Sequence, residues 1–258
     1  MTDAKPYRAR LAVQLYTLRN LELPLEEVLK EVAAAGYAGV ETVGTQGADA
    51  ETLRRALEAS GLVVASSHVA LAELERDLKG VLAFQKAVGN DTVVVPYVGP
   101  GERAEDAGAW RAFGARLGAL GERCRDKGVT LLYHNHDFEM ALLDGKTALE
   151  HLLDGAPEGT LGIELDLAWV VRGGRDPLQL LETFSGKLTR VHVKDVAPAG
   201  ENEDEDGWAD VGYGTLDWQS LLSAAEAAGA AWFVVEHDAP KDPLGSIRRS
   251  AAYLKGRW

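Results

Sequence analysis

Short apolar runs recur along the chain, and between them lie stretches whose apolar residues repeat every three or four positions. The runs fall at residues 11–15, 39–43, 62–67 and 92–97, then at 129–134, 161–166, 188–193 and 232–236. Most are continuous Val, Ile and Leu, as parallel strands covered on both faces should be. The intervening stretch 24–35 places Leu25, Val28, Leu29 and Val32 on one helical face, with Pro24 at its start and Gly36 at its end. Helices are likewise predicted over 49–60, 71–88, 103–127, 145–153, 177–184 and 217–229, and from Asp242-Pro243 onward. Eight strand–helix units without a linker predict an α/β fold, a single (β/α)8 barrel with parallel strands filling one domain over 1–258. A doubly wound sheet would need a glycine-rich phosphate turn after an early strand. Neither Thr17-Leu18-Arg19 nor Gly44-Thr45-Gln46-Gly47 supplies one. Residues 196–216 follow the seventh strand, so this long connection belongs on the catalytic face as a candidate lid.

Composition narrows the function. A net charge of -13 argues against a nucleic-acid partner or an anionic membrane. The acidic run 201–206 reads as a solvated loop. The single cysteine, Cys124, excludes an intrachain disulfide and reads as a buried helical thiol. No apolar run reaches the roughly 20 residues of a spanning helix, and the first ten residues lack the apolar core of a signal peptide. A cytoplasmic protein is the expectation, and a homo-oligomer is compatible with it.

The chemistry sits where the apolar runs stop. The ends read Tyr133-His134-Asn135-His136-Asp137, Glu164-Leu165-Asp166, His192-Val193-Lys194-Asp195 and Glu236-His237-Asp238. Residues two apart share a face of a strand. His134 with His136, Glu164 with Asp166, and His192 with Lys194 therefore point the same way, and desolvation cost directs them into the barrel mouth. His134, Asp166, His192 and Glu236 then form a two-nitrogen, two-carboxylate set. Such a set suits Mn²⁺ best, with Zn²⁺ and Mg²⁺ as alternatives. Taken singly, a strand-end histidine or aspartate is more often a hydrogen-bonded structural group. Four at matched ends of consecutive strands point to a metal. Glu236, His134, His136 and Lys194 are the candidate catalytic groups. Gln14, Glu41, His68, Glu164, Trp169 and Trp208 are candidate substrate contacts. His151 reads as a surface residue and His237 as structural.

Several motifs resemble the sugar phosphate isomerase/epimerase family of the xylose isomerase-like TIM-barrel superfamily, whose members include inosose dehydratase and endonuclease IV. They are Gln14-Leu15-Tyr16-Thr17-Leu18-Arg19, Tyr133-His134-Asn135-His136-Asp137-Phe138-Glu139, Asp166-Leu167-Ala168-Trp169, His192-Val193-Lys194-Asp195, Gly212-Tyr213-Gly214-Thr215-Leu216-Asp217-Trp218 and Val235-Glu236-His237-Asp238. The resemblance implies a metal held by strands five to eight, usually through Glu, Asp, His and Glu. Asp166, His192 and Glu236 match that pattern. The family's first glutamate falls on His134, which removes one carboxylate of a symmetrical acid–base pair.

The expected activity is that of a divalent-metal-dependent isomerase or epimerase acting on a sugar, keto-sugar or cyclitol through an enediolate. The alternative is a dehydratase or eliminase that shares the intermediate and loses a hydroxyl. A non-catalytic sugar-binding barrel stands further off, and an abasic-site nuclease conflicts with the charge. Arg19, Arg172 and Lys194 are the mouth cations. With no glycine-rich anion loop, a neutral small molecule is expected over a phosphorylated one.

Overall fold

Eight parallel strands pair in sequence order and close into a barrel in the computed structural model, which describes residues 10–256. The strands are Arg10–Gln14, Gly39–Val43, Val63–His68, Thr92–Val95, Thr130–His134, Gly162–Asp166, Leu188–Val193 and Trp232–Val235. Each predicted run is thus a barrel strand, with ends moved by a residue or two. The strand faces turned outward join the helices in one continuous apolar cluster. A smaller cluster of Ala12, Ala65, Trp232 and Val234 forms separately from it. Gly39 is required beside it, because a Cβ there would lie 2.8 Å from the Val63 carbonyl and 3.0 Å from the Trp232 ring.

Nine helices are present among the described residues: α1 (Leu25–Ala35), α2 (Ala50–Ser60), α3 (Leu71–Ala87), α4 (Ala107–Arg125), α5 (Ala148–Gly155), α6 (Leu167–Arg172), α7 (Pro177–Thr183), α8 (Trp218–Ala228) and α9 (Pro243–Lys255). Aspartate carboxylates at 49, 106, 166, 176, 217 and 242 accept from first-turn amides, the usual N-terminal cap. The fourth helix starts at Ala107 and not at 103, because Asp106 caps it there and Pro100–Glu102 forms a separate 3-10 turn. The short α6 was not predicted. Asp166 ends a strand and caps this helix within one residue, which leaves no loop signal between them. Among the described residues no helix is long and apolar enough to cross a membrane.

Two register shifts matter for the site. Between the second and third strands the pairing passes from Val40–Val64 to Glu41–Ser66, skipping Ala65. Between the sixth and seventh it passes from Ile163–Leu188 to Glu164–Arg190, skipping Thr189. An extra residue of this kind re-aims the side chains that follow it. The Ala65 carbonyl accepts from Arg190 Nε at 2.8 Å.

The 196–216 connection is held down. Asp195–Val196 pairs antiparallel with Trp208–Ala209. The Asp195 carboxylate accepts from the amides of Val196, Gly212, Gly214 and Leu216 and from Trp218 Nε1. A Cβ at residue 214 would meet that carboxylate at 2.2 Å, so glycine is needed there. Within this candidate lid Tyr213 is 61% exposed and packs toward Tyr253 of α9. The segment carries a pinned hairpin and turn, in which Gly212 and Gly214 bring the backbone to Asp195. Replacing Asp195 by alanine strands several donors, each costing about 1–3 kcal/mol when buried. The D195A variant should lose about 3 kcal/mol or more in urea denaturation, with amide exchange in 196–216 rising most. Wild-type exchange across that segment would show that the carboxylate is not the pin.

Candidate active site

The strand ends converge as their sequence pattern predicts. Candidate ligand atoms of His134, Asp166, His192 and Glu236 all lie within 4.8 Å of one another, and all four residues are buried. His192 Nδ1 is 3.1 Å from Glu236 Oε2 and 3.8 Å from Asp166 Oδ2. The His134 and His192 rings meet edge-on with centroids 4.5 Å apart. Asp166 is divided between two tasks. Its Oδ1 accepts from the Trp169 amide at the start of α6, while Oδ2 has no hydrogen-bond partner and stands 3.2 Å from Lys194 Nζ. The Asn135 amide fixes this strand end, accepting from Asp166 N at 2.9 Å and donating to Asp166 O.

Lys194 is fully buried, 2.7 Å from Glu236, 3.0 Å from Asp238 and 3.2 Å from Asp166. Burial opposes its charge, but the three carboxylates outweigh burial and raise it above the lysine range. It is a fixed cation. Burial likewise works against the Glu236 carboxylate, yet Lys194 and His192 hold it well below the usual range. Burial and the neighbouring imidazoles push His134 down, and burial with Lys194 pushes His136 to about 3. Both rings are therefore neutral near pH 7, and Nδ1 of each is buried with no hydrogen-bond partner.

A second layer lies behind this one. Glu41 Oε1 is 2.7 Å from His192 Nε2 and 3.0 Å from His68 Nε2. Glu164 Oε2 is 2.8 Å from His68 Nε2 and 3.2 Å from His192 Nε2. Gln14 Nε2 and Ser66 Oγ donate to the two oxygens of Glu41. Carboxylates and imidazoles alternate, so each charge has an opposite neighbour in a place that water does not reach.

A cavity of about 460 Å³ opens over the first layer. His68, His134, His136, Trp169, Lys194 and Glu236 line it, with Tyr16, Arg19, Tyr97 and Asp238 at its rim. Among the expected substrate contacts, His68 and Trp169 reach this space. Gln14, Glu41 and Glu164 do not line it. They are fully buried in the layer beneath, committed to one another and to the histidines. Trp208 is fully buried as well and backs Trp169, with ring centroids 4.7 Å apart. His151, expected at the surface, is buried: Nε2 bonds the Leu143 carbonyl and Nδ1 faces Arg111. His237, expected to be structural, is buried, and its Nδ1 accepts from the Ala239 amide at 3.3 Å.

Sequence reasoning did not single out Tyr97, Asn135, Glu139 or Asp238. Tyr97 packs edge-on against His136 and takes a hydrogen bond from Arg103. Glu139 accepts from Tyr133 Oη at 2.6 Å and the His136 amide at 2.8 Å, and burial pushes its carboxyl up to about 7. Only Asp238 carried a usable signal, an acidic residue two places beyond Glu236 on the same face.

The donor set fits a divalent ion: two imidazoles and two carboxylates around one point, with Asp166 Oδ2 and His134 Nδ1 buried and unbonded. Comparison with known proteins agrees on fold and family. The sequence is 25% identical over 270 residues to inosose dehydratase of Clostridium botulinum (strain Alaska E43 / Type E3), covering 92% of this chain and 88% of that protein. A sugar phosphate isomerase/epimerase from Parabacteroides distasonis superposes with a TM-score of 0.80 at 20% identity, over 99% of this chain and 96% of the other. An L-ribulose 3-epimerase superposes with a TM-score of 0.75 at 16% identity, over 96% and 94%. At these identities the structural matches show a shared fold.

The second layer has a pH signature. Burial alone would depress His68, but Glu41 and Glu164 outweigh it and raise it from 6.5 to about 9. A histidine raised on folding contributes stability that is complete below its unfolded value and lost as pH rises through its folded one. Metal-free protein should therefore melt at progressively lower temperature from about pH 6.5 to about pH 9. The H68Q variant should lack that component. Parallel melting curves for the two proteins across this window would show that His68 carries no excess proton.

The profile of the xylose isomerase-like TIM barrel family matches residues 29–257, nearly the whole of the chain, which therefore belongs to that family.

Proposed function

We propose that this chain is a metal-dependent enzyme that removes the proton beside a carbonyl of a neutral keto-sugar or keto-cyclitol, with loss of water as the outcome. The observation that carries this reading is the asymmetry of the cavity wall. One carboxylate of the ligand set, Glu236, faces the space on the eighth strand, and neutral imidazoles, His134 and His136, face it from the fifth. A symmetrical pair of carboxylates, as an epimerisation on both faces of a carbon would use, is not there. The similarity to an inosose dehydratase over nine-tenths of the chain supports the same choice.

His134, Asp166, His192 and Glu236 would hold the ion, with Mn²⁺ the best match to mixed imidazole and carboxylate donors. When bound, such an ion polarises a carbonyl and acidifies the adjacent C–H. Glu236 is ionised and faces the cavity, so it is positioned to accept that proton. Lys194 supplies a fixed positive charge beside any developing oxyanion, and three carboxylates keep it from acting as a base. His136 lines the cavity as a neutral imidazole, whose buried Nδ1 has no hydrogen-bond partner, and is the candidate for a second proton transfer. Trp169 presents a ring to the apolar face of a cyclic polyol, backed by Trp208 and Arg172.

The mouth cations are already engaged, which favours an uncharged substrate. Arg19 stacks on Tyr16 and donates to the Asp238 carbonyl. Arg172 lies over Trp208, paired with Asp206. Isomerisation or epimerisation remains the second reading, because His136 is placed to return a proton where Glu236 has taken one.

Product mass decides the reaction. Mn²⁺-loaded protein incubated with keto-inositols and ketohexoses should release a product lighter by one water. A product of unchanged mass selects the second reading, and no turnover on any member sinks both. The E236Q variant should remain folded and lose about 100-fold or more in turnover. Matched free and phosphorylated keto-sugars test the charge argument, and a clear preference for the phosphorylated member would overturn it.

A further inference from the structure

The second layer does more than fill the barrel. His134 and His192 both reach from the ligand set to the second layer, His134 Nδ1 lying 3.5 Å from Glu164. His192 makes the shorter contacts, with Nδ1 toward Glu236 and Asp166 and Nε2 toward Glu41 and Glu164. We infer that Glu41 is a positioning residue for the metal site, accepting the Nε2 proton of His192 so that the Nδ1 lone pair is turned toward the ion. This rests on the metal-dependent reading above.

Three observations carry it. First, the contact is short and exclusive of solvent: His192 Nε2 lies 2.7 Å from Glu41 Oε1, and both residues are fully buried. Glu164 is the longer contact at 3.2 Å. Second, Glu41 cannot swing away. Gln14 Nε2 donates to its Oε1 at 2.6 Å, Ser66 Oγ donates to its Oε2, and His68 flanks it at 3.0 Å. Third, the backbone is irregular at this residue. The register shift after Val40 brings Ser66, and not Ala65, opposite Glu41. Without the skipped residue the serine hydroxyl would not face the carboxylate. His68 stacks parallel to His192 at 5.4 Å, with ring planes 7° apart, which closes the remaining rotation of the imidazole.

The physical consequence is a preset ligand. A histidine that donates its far N–H to a carboxylate is fixed in tautomer and orientation, and its near nitrogen becomes a stronger donor. Glu41 touches neither the cavity nor the ion's place, so its effect passes through His192.

The test is metal affinity of the chelator-stripped full chain, read by competition with a fluorescent chelator for Mn²⁺. The E41Q variant keeps the shape of the side chain and removes its charge, and should bind Mn²⁺ about 10- to 100-fold more weakly than wild type. The S66A variant removes a donor to Glu41 and leaves the His192 contact, so it should bind within a few-fold of wild type. Imidazole nitrogen NMR of Zn²⁺-loaded wild type provides a readout that packing alone does not move. His192 should show a proton on Nε2, exchanging slowly and hydrogen bonded, and metal on Nδ1. Unchanged affinity in E41Q, or metal on Nε2, overturns the inference while leaving the metal site intact. Absence of Mn²⁺ binding by wild type overturns both the inference and the reading beneath it. If E41Q does not accumulate as folded protein, the wild-type spectrum decides.

Discussion

Charge compensation inside a closed barrel is the constraint that everything else in this molecule serves. Glu41, Glu164, Asp166, His192 and Lys194 are all fully buried, with Glu236 and His134 nearly so. Unpaired, any charged member of this group would cost several kcal/mol to bury. They are tolerated because each carboxylate is flanked by an imidazole or an ammonium. The arrangement continues from the Glu41–His68–Glu164 layer through His192 to Glu236, Lys194 and Asp238. His192 joins the two layers, and Asp238 ends the series at the rim.

The strands and the first layer were legible in the sequence because both are local. Continuous runs of Val, Ile and Leu mark a strand buried on two faces, and alternation beyond the run says which polar residues turn inward. His134, Asp166, His192 and Glu236 meet both conditions. Depth was not legible. Glu41, Gln14 and Glu164 share an inward face with residues that do reach the cavity, and nothing in their own segments says they stop a layer short. For Glu41 and Glu164 the register beside them also turns on two skipped residues, Ala65 and Thr189, in partner strands distant in sequence. His151 misled for a similar reason. Its helical setting looked amphipathic and exposed, whereas the close approach of α4 to α5 covers it. A Cβ at Gly114 would stand 1.8 Å from the Leu152 carbonyl.

The 196–216 segment teaches a related point about glycine and charge. Its place after the seventh strand reads as a candidate lid, and its acidic run as a solvated loop. In the folded chain Gly212 and Gly214 let the backbone close around one carboxylate, and Glu205 accepts from the Lys241 amide. Composition that looks like freedom in a single segment can equally record a tight approach, and the difference lies in the partner, here Asp195 at the end of a barrel strand.

Asp166 has a consequence of its own. One of its oxygens holds the first turn of the helix that carries Trp169, and the other faces the ion's place. Under the proposed function, ring stacking and ion binding are therefore linked through a single side chain. A shift of that carboxylate toward an ion would be felt at the Trp169 amide and so in the turn that presents the indole. A substitution at Asp166 would then alter ion affinity and ring presentation together.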